Sequence, residues 1–528
     1  MTLGGRTGVA YAVLIGAMLI GAVLSPLLAV TVPPLLDYPD HLARMAILAG
    51  KAPAAMQNYI AHWRLLPNLA MDVVVPPLAQ LMPVETAGRV FVGLAMVLPV
   101  FGTIAVHHAL YGRVGLWPLC SLLFVFNAAL WFGLVNFLFS LGVALFAFAC
   151  WIGSEGWQPA LRLAVFSLVA ALMFILHLFA FGIYGLLIAS YELGERFLRR
   201  RGSIAGMTGY LASLAQFVPV FVLWLLSGAD TGARFTEFGS PADKLQALLS
   251  PVSFNLPPTL LDYALAGFCL FAIYVALRSR AVAVHHSMLV PIIVLLAAGI
   301  VMPKTMLDGT LADSRLLIGF AFVLIAATEP VQARRKLAIP LVFVGLALIG
   351  LRVWAVAQSW RDFDERFAEF RGAAQQMPEG SRLLVVQSEM PAGGEEFADV
   401  PRALALRSAV AFIHMPALAV IDRGAFVPNL FLHRQPLDVT ARNAELIPPS
   451  RPYDLGILTP EELVARADAS LRAATAATPD ARSWGADWPK HYDFVLWIDF
   501  GEEPANLPAR LEPWARGSFF HLYRVSKT

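Results

Sequence analysis

Apolar runs of about twenty residues, separated by short polar breaks, recur along the first two thirds of this 528-residue chain. A helix needs about 20 apolar residues, each rising about 1.5 Å, to cross a bilayer's hydrocarbon core. The runs predict eleven spans, near 9–31, 87–110, 116–130, 134–152, 160–177, 180–197, 206–227, 259–277, 286–303, 315–331 and 338–357. The pair at 160–197 could be one over-long run. Arg162 flanks one end and Arg196, Arg199, Arg200 and Arg201 the other. Positive charge at both ends asks for two crossings, so a hairpin is expected, turning at His177 to Gly182. The segment 32–86 is a long first loop with helical stretches at 40–50 and 68–82, too broken by Pro and charge to span. They suit helices lying in the membrane interface, with Tyr59 and Trp63 at headgroup level.

After residue 357 the pattern changes. Of the 37 carboxylates, 14 fall in residues 1–357 and 23 in residues 358–528. The chain therefore divides into a membrane part, 1–357, and a soluble domain of ordinary polarity, 358–528. In the tail, a charged helix is expected at 361–375 and another helix at 460–475. Short β-branched or aromatic runs at 382–387, 417–422, 494–499 and 518–525 read as strands. A small α/β domain, of doubly wound type, is expected. It has no Gly-rich phosphate loop and no nucleophile elbow, so it reads as a cap or acceptor platform rather than a second active site.

Composition agrees with this division. The mean hydropathy is +0.66. Charged residues make up 14% of the chain, against about 25% in soluble proteins. The net charge of +2, without a basic stripe, gives no reason to expect a nucleic-acid partner. All three cysteines lie in apolar runs, so no disulfide framework is expected. Basic residues at 113, 162, 196–201, 278–280 and 334–336 mark the expected inner loops. The positive-inside rule then puts the N-terminus in the cytoplasm, and the first loop and the tail outside. The first run is too long for a signal h-region and reads as a retained span.

No charged residue lies between Arg6 and Asp37. Then comes a cluster, Asp37-Tyr38-Pro39-Asp40-His41-Leu42-Ala43-Arg44, where a span leaves the bilayer. A carboxylate there can take a proton from an acceptor hydroxyl, and a neighbouring acid or imidazole can tune its pKa. On a helix starting at Pro39, His41 and Arg44 share a face that can hold a phosphate. The same residues also suit an ordinary helix start, with Asp37 and Asp40 capping and Pro39 in the first turn. Asp72, in the first loop, is a third acid able to bind substrate or simply to face solvent. Asn127 and Asn136 flank a break between two spans; they either line a cavity or close a tight turn. His177, in the hairpin, is either a ligand for phosphate or sugar or a structural residue. Lys304, Asp308, Asp313 and Arg315 sit before the tenth span. Arg315 there can hold a phosphate bidentately or pair with one of the aspartates. His107-His108 and His285-His286 are poor chelates, because helical neighbours point about 100° apart.

An acidic motif directly after the first span, followed by helices in the first loop, resembles the GT-C superfamily of integral-membrane glycosyltransferases. The residues that carry the resemblance are Asp37, Asp40 and His41, together with the eleven-span count and the outer C-terminal domain. Protein O-mannosyltransferases and aminoarabinose transferases of that superfamily carry an Asp-Glu pair here, whereas this chain separates its two aspartates by Tyr-Pro. Either Asp37 or Asp40 is thus the base that the resemblance implies. It further implies inverting transfer of a sugar from a polyprenyl-phosphate donor to a lipid, glycan or protein acceptor at the outer membrane face, which the topology and an Ala-, Leu- and Arg-rich composition read as the periplasmic face of a bacterial inner membrane. Some members use a divalent metal, which leaves room for one at Asp37 and Asp40, although the sequence offers no oxygen-rich ligand set. No other cofactor is expected. A transporter or flippase of lipid-linked sugar is the alternative. It predicts polar breaks at mid-membrane, where this chain is nearly all apolar apart from Glu192 and Gln216.

Overall fold

The computed structural model describes residues 6–64, 66–113, 115–199, 203–226, 235–255, 257–307, 309–331, 335–388, 412–432, 436–448, 457–467, 485–500 and 507–527. The first apolar run forms α1 (Arg6–Leu28), and the first loop folds into α2 (Tyr38–Leu48), β1 (Tyr59–Ala61) and α3 (Ala70–Leu78). Next come α4 (Val84–Tyr111), the four-residue α5 (Ala128–Trp131), α6 (Val135–Gly153), α7 (Pro159–Leu176) and α8 (Leu178–Glu192). The chain continues through α9 (Ile204–Leu214), α10 (Val218–Leu226), α11 (Pro241–Leu249), α12 (Leu260–Ser279), β2 (Val282–Val284) and α13 (Leu289–Val301). The membrane part closes with α14 (Ala312–Ala326), β3 (Thr328–Pro330) and α15 (Arg335–Ala374). The tail adds β4 (Leu383–Gln387), α16 (Leu418–Arg423), β5 (Leu437–Val439), α17 (Pro460–Ala465) and α18 (Trp488–His491). It ends with β6 (Phe494–Ile498), β7 (Leu511–Arg516) and β8 (Phe520–Val525).

Among the described residues, eight helices are long and apolar enough to cross a membrane. They correspond to α1, α4, α6, α7, α8, the joined α9–α10, α12 and α15. A ninth apolar helix, His286–Val301, is shorter. The chain is thus an α-helical polytopic membrane protein with a C-terminal α/β domain. The predicted hairpin at 160–197 forms as two helices broken at His177, whose extended backbone (φ −167°) cannot continue either one. Its ring accepts a hydrogen bond from Phe179 N and caps α8. Segment 116–130 is no spanning helix: it makes a 3-10 run, Trp117–Phe124, followed by α5. The runs predicted at 338–357 and 361–375 are one helix, α15, so the boundary at 357 falls inside it. Helix α4 packs closely on α6, where a Cβ at Gly142 would come within 2.4 Å of Leu98 Cβ.

The first loop differs most from expectation. Helices α2 and α3 form, but α2 is not interfacial: Tyr38, Leu42, Ala43, Arg44 and Met45 are all fully buried. The tail covers them. Strand β1 pairs antiparallel with β5, Tyr59 opposite Val439. Asn58, also buried, donates to the carbonyls of Gly380 and Gly424 and accepts from Asn443. Arg371 on α15 bridges Asp422 of the tail and Glu85 at the start of α4.

The tail's sheet has the order β4-β6-β8-β7; β4 and β6 run parallel and the other pairs antiparallel. It is mixed rather than doubly wound. Residues 417–422 are largely helical, as α16, not a strand, because their apolar positions face α2 and α15 rather than a sheet. The helix expected at 460–475 spans Pro460–Ala465, opened by a Thr459–Glu462 capping box; positions 468–475 lie outside the described residues.

Candidate active site at the mouth of the first span

Helix α1 ends at Leu28, Pro33 and Pro34 follow it, and the next residues are clamped by the turn around α5. Leu36 N donates to Trp131 O at 3.1 Å, and Asp37 N to Phe132 O at 3.1 Å. Gly133, at φ +80°, closes that turn; a Cβ there would sit 2.8 Å from Asp37 N. Asn127 caps α5 by accepting from Leu130 N, so it holds the turn together.

Asp37 occupies the position before α2 with φ −82° and ψ −8°, and its side chain makes no capping bond. Capping therefore does not explain this carboxylate. The reason is local: a cap needs extended backbone to turn its oxygen onto the first turn, and Asp37 is already helical. Pro39 lies in that first turn, where its missing N–H costs nothing.

The group that meets both aspartates comes from the tail. His414 lies just before the 3-10 turn Met415–Ala417 that leads into α16. Its Nδ1 stands 2.8 Å from Asp40 Oδ2, and its Nε2 stands 3.8 Å from Asp37 Oδ1. The contact with Asp40 is close but not aligned as a hydrogen bond. The side chains of His414 and Asp40 are 3% and 1% exposed, whereas Asp37 is 17% exposed. Asp37 is the more accessible of the two carboxylates. The imidazole turns opposite nitrogens to the two acids, so the three donors do not converge on one point. Among the described residues, no group of three or more His, Cys, Asp or Glu is arranged to hold a metal ion.

The electrostatics follow from burial. Desolvation pushes Asp37 up from the usual carboxylate range to about 7, helped by Asp40 and opposed by His414 and Arg315. Burial likewise raises Asp40, against the pull of the adjacent imidazole. For His414 burial works downward, but the two carboxylates win and hold it above its ordinary value. His41, half-buried beside Phe431 with Arg44 and His414 nearby, is kept well below its ordinary value by desolvation and then by those cations.

Arg315, on the first turn of α14, faces this group. Its guanidinium lies 4.5 Å from the Phe179 ring and 5.8 Å from the Phe137 ring, and its buried Nε has no partner among the described residues. It makes no ion pair with Asp313. Asp313 is bonded instead to Lys244 at 2.8 Å, and Asp308 lies outside the described residues. Lys304 is bonded to Asp243 at 2.8 Å.

The remaining expected site residues are engaged elsewhere. Arg44 is held by a partner in the first loop. It grips Asp72 with two bonds, Nε to Oδ1 at 2.7 Å and Nη2 to Oδ2 at 3.1 Å, and both side chains are fully buried. Asp72 is thus a buried partner, not a surface acid. Asn136 accepts from Met71 N and donates to Asn68 O, which ties α3 to α6. His177, the cap of α8, packs its ring edge-on against Phe137. The residue that sequence reading missed is His414. Its only signal is a lone imidazole among apolar neighbours, Phe412-Ile413-His414-Met415-Pro416.

No protein-family model matches the sequence, and no curated protein matches it. Among solved structures, the chain is similar to ArnT from Cupriavidus metallidurans bound to undecaprenyl phosphate. The identity is 12%, 98% of each chain is covered and the TM-score is 0.48. For the same protein in its apo state the identity is 13%, with 98% of this chain and 97% of that chain covered and a TM-score of 0.44.

Proposed function

We propose that this chain is a membrane glycosyltransferase that moves a sugar from a polyprenyl-phosphate donor to an acceptor hydroxyl. The observation that carries this reading is the meeting of Asp37, Asp40 and His414 near Arg315, whose buried Nε has no partner among the described residues. Asp37, the less buried of the two acids, takes the proton of the acceptor hydroxyl. The acceptor oxygen bonds to the anomeric carbon as the bond from that carbon to the phosphate oxygen breaks, and the configuration inverts. His414, braced by buried Asp40, stabilises the Asp37 carboxylate and orients it. The leaving group is already an anion and needs no strong acid. Arg315 answers its charge in a dry setting where such an interaction counts for most.

In this reading the prenyl chain lies between the apolar helices. The site and the tail face the periplasm of a bacterial inner membrane, and the N-terminus faces the cytoplasm. The donor's sugar and the identity of the acceptor follow from other contacts. The test is transfer from a radiolabelled polyprenyl-phosphate sugar by purified protein. Asp37→Asn should abolish it. A flippase would leave the glycosidic bond intact, so wild-type protein that relocates the labelled donor without cleaving it overturns the assignment.

A further inference from the structure

The turn that clamps Asp37 also walls a separate cavity. This space of about 300 Å³ lies between α11, the segment leading into α14, and α5. Phe132 lines it and gives its carbonyl to Asp37 N. Ala128 N is bonded to Ser250 O across the same wall. Ser314, on the opposite side, immediately precedes Arg315. The cavity and the reacting groups thus share both α5 and the first turn of α14.

Its chemistry is specific. Both carboxylates that line it are already matched, Asp243 by Lys304 and Asp313 by Lys244, each at 2.8 Å. The Gln246 carboxamide and the Thr310 hydroxyl also line it, and neither side chain has a hydrogen bond among the described residues. What remains for a ligand is therefore a set of uncharged donors and acceptors beside Phe132. A ligand bearing its own charge would have to unpair or desolvate an existing ion pair, which is costly. A volume of about 300 Å³ is at the lower end for small-molecule sites, enough for one ring and too small for a prenyl chain.

We infer that this cavity receives one uncharged, hydroxyl-bearing sugar ring of the transfer reaction. The inference rests on the glycosyltransferase reading. The ring belongs either to the donor or to a glycan acceptor, and binding measurements separate the two. Full-length protein in lipid nanodiscs is titrated, following tryptophan fluorescence, with polyprenyl phosphate, polyprenyl-phosphate glucose and methyl glucoside. Gln246→Leu combined with Thr310→Val should weaken one sugar-bearing probe by roughly tenfold, the loss expected of two neutral hydrogen bonds. Polyprenyl phosphate should bind unchanged, which also certifies the fold, and Thr310→Ser, which keeps the hydroxyl, should behave as wild type. Loss confined to the glucosyl lipid assigns the donor ring, and loss confined to methyl glucoside assigns an acceptor ring. If the double variant binds both sugar probes as wild type does, or wild type binds neither, the inference is overturned. If wild type binds methyl glucoside in this cavity but neither lipid, the sugar site stands and the transferase reading falls.

Discussion

Arg44 and Asp72 provide a test of what the first loop is for. The pair is bidentate, at 2.7 and 3.1 Å, and both side chains are fully buried between α2 and α3. Arg44 Nη1 has no partner among the described residues even in the intact pair. Removing one member leaves an uncompensated charge away from water, which costs about 3–5 kcal/mol. Replacing both with apolar groups of similar volume is often close to neutral. Arg44→Met and Asp72→Leu should therefore each be strongly destabilising, and the double variant should recover most of the loss. At about 2–4 °C per kcal/mol for a mid-sized domain, each single variant should lower the apparent Tm by several degrees at least. Thermal scans in one detergent, read by intrinsic fluorescence, measure all three proteins. The reasoning is refuted if Arg44→Met keeps the wild-type Tm while losing affinity for a lipid phosphate, because Arg44 would then be a ligand contact.

Asp37 acts as base only when ionised, and burial raises its pKa to about 7, so transfer at saturating substrate should rise with pH through about 7. A flat profile from pH 5 to 9 would count against Asp37 as the base. The His414 charge pulls that pKa down, so His414→Gln should move the rising limb to higher pH as well as slow the reaction. A slower enzyme with an unmoved limb would reduce His414 to packing. Arg315→Met should weaken binding of polyprenyl phosphate by about 10- to 100-fold, the range for hydrogen bonds to charged groups, with Arg315→Lys recovering part of it. Equal affinity in all three proteins would remove Arg315 from the phosphate site. Asn136→Ala leaves Met71 N and Asn68 O without partners and should cost about 1–3 kcal/mol of stability while sparing substrate affinity, as measured by thermal scans and lipid binding.

The membrane part was legible because its information is local. Apolar run length and flanking arginines mark α4, α6 and the α7–α8 hairpin without reference to any other part of the chain. Segment 116–130 is as apolar as a span, yet it folds as a 3-10 run and a short helix. Its Asn127 cap and Gly133 turn are shaped by contact with residues 36 and 37, which run length does not encode. The buried state of α2 escaped notice for a similar reason. Its Asp, His and Arg look amphipathic at a membrane surface, but α16 and the turn before it cover them. Arg44 and Asp72 are ordinary charged residues in sequence and a matched pair only once α2 meets α3. His414 is the extreme case: it reaches the aspartates only because the tail folds back over the first loop. The cluster at residue 37 could be found from sequence, but the difference in exposure between Asp37 and Asp40, on which the proposal of Asp37 as base rests, could not.

The central claim is that Asp37 removes the acceptor's proton, with Asp40 and His414 behind it. The direct measurement is single-turnover transfer from a labelled polyprenyl-phosphate sugar by wild-type protein, Asp37→Asn, Asp40→Asn and the double variant, each with its donor affinity measured separately. The account predicts that Asp37→Asn loses transfer while still binding donor, that Asp40→Asn is slowed, and that the double variant is no worse than Asp37→Asn. Wild-type rates in Asp37→Asn and in the double variant would contradict it.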